Sequence, residues 1–265
     1  MTADAPIGVF DSGLGGLSVL RELHTALPHE DFLYVADTAY CPYGSKPREV
    51  VVARAERITT TLQARGVKLV TVACNTATVA AIDTLRQRHT VPFVGIEPAV
   101  KPAAQLTRSG VVGVLSTAVT AHGARVQSLI QRYAHGVQVL TQACPGLVEH
   151  VEAGDLDSPA VRHLVRQYTA PLLAAGADVL VLGCTHYPFL RALVAEEAGD
   201  GVQVIDTGAA VARRVADVLG EARLLSGRAQ AGTVQFFTTG DAAHMEAVAS
   251  RLLAASIRSE NIDLS

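Results

Sequence analysis

Short apolar runs alternate along this chain with longer stretches whose apolar residues recur at helical spacing. IGVF (residues 7–10) reads as a buried strand, followed by a Gly-rich DSGLGG turn and an amphipathic helix over residues 16–27. FLYVAD (residues 32–37) gives a second strand. After the turn-rich CPYGSKP, residues 48–65 read as a helix, with Pro47 at its start where a missing N–H is tolerated. KLVTVAC, ending at Cys74, gives a third strand, residues 77–89 a helix, and VPFVGI (residues 91–96) a fourth strand. Apolar strands separated by helices predict parallel βαβ units with both sheet faces covered.

A second series begins near Gly110, with strands in GVVGVLST, HGVQVLTQACP and ADVLVLGC, the last ending at Cys184. The two series align: Gly8-Val9 with Gly113-Val114, Cys41-Pro42 with Cys144-Pro145, and Cys74 with Cys184, each pair a little over 100 residues apart. This predicts an α/β fold of two pseudo-symmetric domains with mostly parallel sheets. The tail, with one further strand in TVQFFTTGD, returns to the first domain, giving residues 1–97 plus 207–265 as one domain and 98–206 as the other. Ligands of open parallel sheets sit at the carboxyl ends of strands. Asp11, Asp37, Cys74, Thr117 and Cys184 all stand at such ends, so an active site in the interdomain cleft is expected.

Composition narrows the classes. Of 265 residues, 49% are hydrophobic and 18% charged, which fits a globular protein with a large core. A formal charge of −3 gives no reason to expect nucleic acid or acidic lipid as partner. Five per cent aromatics without Trp argue against a base-stacking platform. No apolar stretch is long enough for a membrane helix. The N-terminal MTADAPIGVFDSG lacks the basic region of a signal peptide, so a cytoplasmic protein with free thiols is expected. The four cysteines, 41, 74, 144 and 184, include no CxxC pair and no close Cys/His group, so no metal site is expected.

A strand-end cysteine is most often a small inert hydrophobe. Cys74 and Cys184 depart from that in two ways. Each is followed by hydrogen-bonding side chains, Asn75-Thr76 and Thr185-His186, in a strand-to-helix turn, and each recurs at the equivalent place of its domain. A helix N-terminus stabilises thiolate, so one cysteine can serve as base and the other as acid. Inverting a carbon that bears an acidic C–H requires removing a proton from one face and returning one to the other, which a pair of opposed groups does directly.

Other segments carry two readings each. DSGLGG is a plain tight turn or, through Ser12 and free amides, a carboxylate site at a helix start; its GxGG spacing is not the dinucleotide signature. Asp11 caps the next helix or serves the site. Tyr43 and Gly44 of CPYG form a turn or touch a ligand, and Cys41 is structural. Thr117 and Thr120 are helix caps or supply hydroxyls. Glu149 and Glu152 are solvated carboxylates, unless Glu152 pairs with His186. His186, two residues beyond Cys184, could form an ion pair with it or supply a proton.

These stretches resemble the glutamate racemases, the cofactor-independent enzymes that make D-glutamate for bacterial peptidoglycan. GVFDSGLGGLSVL, VADTAYCPYG, VACNTAT, GIEPAVKPA, CPGLVEHVEAG, LGCTHYPFL and FFTTGD match in order from Gly8 to Asp241. The related aspartate racemases resemble the chain less, typically with Glu where His186 stands. The resemblance implies that Cys74 and Cys184 are the acid/base catalysts, with Cys74 acting on the D-isomer and Cys184 on the L-isomer. It implies that Asp11 and His186 assist the thiols, and that Asp37 and Glu152 are supporting carboxylates. It places the substrate against Asp11, Ser12, Tyr43, Gly44, Asn75, Thr76, Thr117, Thr120, Thr185 and His186, with no PLP and no metal, in a homodimer. Val119 departs from the small residue more usual there, and Cys41 stands where other residues are common. Three rivals fit parts of the pattern. They are a racemase of aspartate or a hydantoin, a non-catalytic amino-acid-binding protein, and a cysteine hydrolase built on Cys184 and His186 that leaves Cys74 idle.

Overall fold

The computed structural model describes residues 2–121 and 123–264. The chain divides into two compact units, Met1–Ile96 with Gly208–Ser265, and Glu97–Thr207.

In the first unit the apolar runs form β1 (Ile7–Asp11), β2 (Phe32–Ala36), β3 (Leu69–Val72) and β4 (Phe93–Gly95). The second unit holds β5 (Val111–Ser116), β6 (Gln138–Ala143), β7 (Val179–Leu182) and β8 (Gln203–Ile205). The tail adds β9 (Val234–Thr238) and β10 (Ser259–Asn261) to the first sheet. The sheet orders are β10-β9-β2-β1-β3-β4 and β6-β5-β7-β8. Every described pairing is parallel. The order β2-β1-β3-β4 thus recurs as β6-β5-β7-β8, the architecture that the three short sequence matches imply.

The helices are α1 (Leu17–Ala26), α2 (Arg48–Ala64), α3 (Asn75–Arg88), α4 (Val100–Leu106), α5 (Ala118–Ala121), α6 (Ala124–Tyr133), α7 (Leu147–Glu152), α8 (Pro159–Ala174), α9 (Arg191–Ala198), α10 (Gly208–Glu221) and α11 (Ala242–Leu253). Strand alternation decides which face each one covers. Phe10, Leu33, Val35, Val70 and Val72 pack with Val51, Ile58 and Leu62 of α2 and Ala77, Ala81 and Leu85 of α3. Helices α1 and α10 pack against each other, and α10 also reaches β4. In the second unit Val112, Val114, Val179 and Val181 pack with Ala99 and Ala103. Gly113 points the other way, toward α8: a Cβ there would come within 2.8 Å of Leu172 and 2.7 Å of Leu180, so only glycine lets the helix lie this close.

Two strands escape the sequence pattern. β8 and β10 have three residues each, and none of the six is buried, so neither shows an apolar run. The turn after Cys184 also differs from expectation. It continues as a 3-10 segment, Tyr187–Leu190, before α9, whereas Cys74 leads straight into the 14 residues of α3. Pro188 in that turn removes a backbone donor and delays the α-helix.

The first unit is tied at the amino ends of its strands by one buried cation. Lys68, fully buried, donates to Glu30 Oε2 at 2.5 Å, to Ala3 O at 2.5 Å and to Leu224 O at 2.8 Å. Glu30 Oε1 accepts in turn from Ser226 N–H at 2.8 Å. Lys68→Met strands the Glu30 carboxylate and is expected to cost about 3–5 kcal/mol. Lys68→Met with Glu30→Leu should recover much of that loss, as read from denaturant midpoints of both variants.

Candidate active site

Helices leaving β1 and β3 cover opposite faces of the sheet, so a gap opens between the two strand ends. The DSGLGG turn and Cys74 meet there. Ala73 N–H donates to Phe10 O at 2.8 Å, carrying the parallel ladder one residue past β3. Cys74 follows as the N-cap of α3, where Ala77 N–H donates to Sγ at 3.4 Å. The thiol points at Ser12 Oγ, 3.8 Å away, and Ser12 Oγ donates to Asp11 Oδ1 at 3.1 Å. Asp11 does not cap α1, whose N-cap is Gly16 with no side-chain bond. The sequence needs glycine at 16 for a different reason: a Cβ would lie 2.7 Å from that of Asp11. Tyr34 OH donates to Gly13 O at 2.7 Å and fixes the turn from below.

Asn75 and Thr76 occupy the first turn of α3, both buried. Among the described residues, Asn75 Oδ1 and Nδ2 are buried without any hydrogen-bond partner. Buried amides are nearly always paired, so this unpaired one stands out beside the thiol.

Asp37 ends the β2 edge of this group and is fully buried. Its Oδ2 accepts from Tyr43 OH at 2.5 Å and Arg54 Nε at 2.9 Å, and its Oδ1 from Arg54 Nη2 at 2.7 Å and Thr239 Oγ1 at 2.8 Å. Burial, with the Asp37 charge second, pushes the Tyr43 phenol well above its ordinary pKa, so it stays a neutral donor. Burial alone would lower Arg54, but the bonds to Asp37 win and raise it. Tyr43 and Cys74 belong to the same apolar cluster, which brings Gly44 to the same region.

The second unit repeats the arrangement with other side chains. Gly183 N–H donates to Leu115 O at 2.7 Å, and Cys184 stands two residues past β7, as Cys74 does past β3. Cys184 Sγ lies 3.6 Å from His186 Nδ1, and His186 Nε2 lies 2.6 Å from Glu152 Oε1 at the end of α7. The pairing of Glu152 with His186, left open by the sequence, is present. Thr185 is buried beside them. Thr117 Oγ1 donates to Thr120 Oγ1 at 3.1 Å just past β5, and Val119 is exposed between them.

Arg54, Thr239, Tyr168 and Tyr187 join these groups without having been singled out from the sequence. Arg54 had a visible signal, a charged residue inside the stripe Val51, Ala55, Ile58 and Leu62 that α2 buries. Tyr187 OH donates to Cys144 O at 3.2 Å and Tyr168 OH to Pro145 O at 2.8 Å, pinning the turn that launches α7 and hence Glu152. Of the other two cysteines, burial pushes the Cys144 thiol up to about 12, and Cys41 is half-buried. Because alkylation follows thiolate, iodoacetamide between about pH 7 and 9 should label Cys41 and spare Cys144 in the folded protein. Peptide mapping by mass spectrometry checks this, and early modification of Cys144 would contradict it.

The family model for Asp/Glu/hydantoin racemases matches residues 7–215. A glutamate racemase of Herpetosiphon aurantiacus is 57% identical over 241 residues, covering 91% of this chain and 95% of that protein. Among solved structures, a glutamate racemase of Bacillus anthracis superposes with a TM-score of 0.89 at 32% identity, covering 98% of each chain. The Francisella tularensis glutamate racemase in complex with D-glutamate superposes at 0.87 with 28% identity, covering 99% of each chain.

Proposed function

The chain belongs to the Asp/Glu/hydantoin racemase family and is an amino-acid racemase of the glutamate racemase type; we propose that it interconverts L- and D-glutamate with Cys74 and Cys184 as its two proton-transfer groups, one on each face of the α-carbon. The observation that carries this reading is the equivalence of the two thiols. Each stands two residues past the corresponding strand of a repeated sheet, and each is backed by its own polar relay.

One thiolate removes the α-proton, and the electron pair left on carbon delocalises into the α-carboxylate. The opposite thiol delivers its proton to the other face, so the product leaves with the proton on the first sulfur and the thiolate on the second. Hydrogen-bond donors aimed at the carboxylate stabilise the charge that grows there. Ser12, Asn75 and Thr76 are suited to hold the substrate's polar groups on the Cys74 side, with Tyr43 and Gly44. Thr117, Thr120, Thr185 and His186 serve on the Cys184 side. Asp11 supports Cys74 through Ser12, and Glu152 supports Cys184 through His186. No step calls for PLP or a metal. Supply of D-glutamate for peptidoglycan, a cytoplasmic place of action and a homodimer complete the proposal, and light scattering on the purified protein tests the last of these.

Incubation of the purified protein with either glutamate enantiomer in D₂O, without added cofactor, should give an equal mixture with deuterium at Cα. Cys74→Ala and Cys184→Ala should each abolish it, and full activity in either variant would falsify the two-thiol scheme. A parallel panel with aspartate and hydantoins should show little turnover. Glu152→Gln, which leaves His186 without its carboxylate, should lower kcat by about 10²-fold, the size of a general acid/base contribution. Because the equilibrium constant between enantiomers is unity, kcat/KM must fall equally in both directions.

A further inference from the structure

We infer that Arg54 is a positioning residue for the reaction: acting through Asp37, it holds the Tyr43–Gly44 turn in the conformation that presents its backbone N–H groups to the substrate. The inference deepens the glutamate racemase reading and rests on it for the ligand.

The segment between β2 and α2 contains only two 3-10 turns, Thr38–Tyr40 and Tyr43–Ser45, so little regular hydrogen bonding holds it. Its order comes from one buried carboxylate. Four donors converge on the two oxygens of Asp37, two from Arg54, one from Tyr43 and one from Thr239. The Arg54 guanidinium also lies 4.0 Å above the Tyr40 ring, so the same side chain clasps the turn at a second point. A fork of two parallel N–H donors fixes a carboxylate in direction as well as place, which a lysine ammonium cannot do. With its direction fixed, Asp37 accepts from Tyr43 OH, and Tyr43, almost fully buried, has its backbone set by the anchor at its tip.

The far side of the segment is bound to β9 in the same manner. Thr38 Oγ1 and Thr238 Oγ1 are 2.6 Å apart, and Ala39 N–H donates to Thr239 Oγ1 at 3.2 Å. A Cβ on Gly240 would fall 2.5 Å from Thr38 Oγ1, so glycine is required for the approach. The TTG of FFTTGD is therefore part of the same clasp. Asp37 so occupied is not a proton acceptor for the reaction. To become one it would have to release donors already paired with it, in a place where an unpaired carboxylate is costly.

This assignment separates from a catalytic role of Asp37 by how the kinetic constants move. A turn that binds ground state and transition state alike contributes uniform binding, so loosening it raises KM and spares kcat. For Arg54→Lys, KM for both glutamate enantiomers should rise about 10–100-fold, with kcat within about 3-fold of the parent. Thr239→Val, which removes one donor without stranding a charge, should shift KM in the same direction by less, and it keeps the test open if the Arg54 variant folds poorly. Hydrogen exchange of the amides of residues 38–46, followed by mass spectrometry without substrate, should quicken in both variants. If the parent protein does not racemise glutamate, the functional reading fails while the exchange experiment still judges the clasp. The inference is overturned by a loss of kcat at constant KM, by loss of one limb of the pH profile in Arg54→Lys, or by unchanged exchange in the 38–46 segment.

Discussion

One backbone hydrogen bond in each unit carries the parallel ladder one residue past the end of a central strand, from Ala73 N–H to Phe10 O and from Gly183 N–H to Leu115 O. Beyond it the ladder cannot continue, because the neighbouring helices leave to opposite faces and draw the chain apart. The next residue in both places is a cysteine, which therefore inherits a position fixed by sheet register. Gly183 is small for the same reason: a Cβ would sit 2.9 Å from Leu115 O. A chemical group placed this way needs no loop of its own to be rigid. Sites on regular elements are held more accurately than sites on loops, which under the racemase reading suits proton transfer between a sulfur and a carbon.

Equivalent placement does not mean equivalent activation. Cys74 caps a helix of 14 residues and receives a backbone N–H, so partial positive charge from the helix end favours its thiolate. Cys184 is followed by a 3-10 segment, Tyr187–Leu190, and α9 begins only at Arg191. There an imidazole and a carboxylate, His186 and Glu152, stand instead. The two halves thus surround their thiols differently, with a helix end in one and a side-chain relay in the other. Under the racemase reading, the two thiols exchange roles in every turnover.

The repeated βαβ pattern and the paired cysteines were legible because both rest on local sequence. Buried parallel strands read as apolar runs, and Cys74 and Cys184 end such runs. The pairing of Glu152 with His186 was open because it spans 34 residues, and nothing near either one states it. Asp37 read as a candidate for chemistry, and three of the four hydrogen bonds it accepts come from α2 and from beyond β9, about 200 residues away for Thr239. Arg54 is one of three arginines in α2 and looks solvated by composition; the stripe of Val51, Ala55 and Ile58 is what places it inward. β8 and β10 were invisible for the opposite reason, since short edge strands bury too little to carry a pattern.

Among the described residues, Asn75 leaves two buried polar atoms unpaired, where Thr59 and Thr71 leave one hydroxyl each. An unpaired buried group costs about 1–3 kcal/mol, and this amide leaves both a donor and an acceptor unpaired beside Cys74. An amide offers complementary contacts to a zwitterion, since Nδ2 can donate to a carboxylate and Oδ1 can accept from an ammonium. Occupancy by an amino acid would remove the penalty in the ground state and the transition state alike. Such relief lowers KM without raising kcat. Under the racemase reading, the rate comes from groups whose interactions change as the proton moves: the thiols, the Ser12–Asp11 and His186–Glu152 relays behind them, and donors aimed at the carboxylate where charge grows.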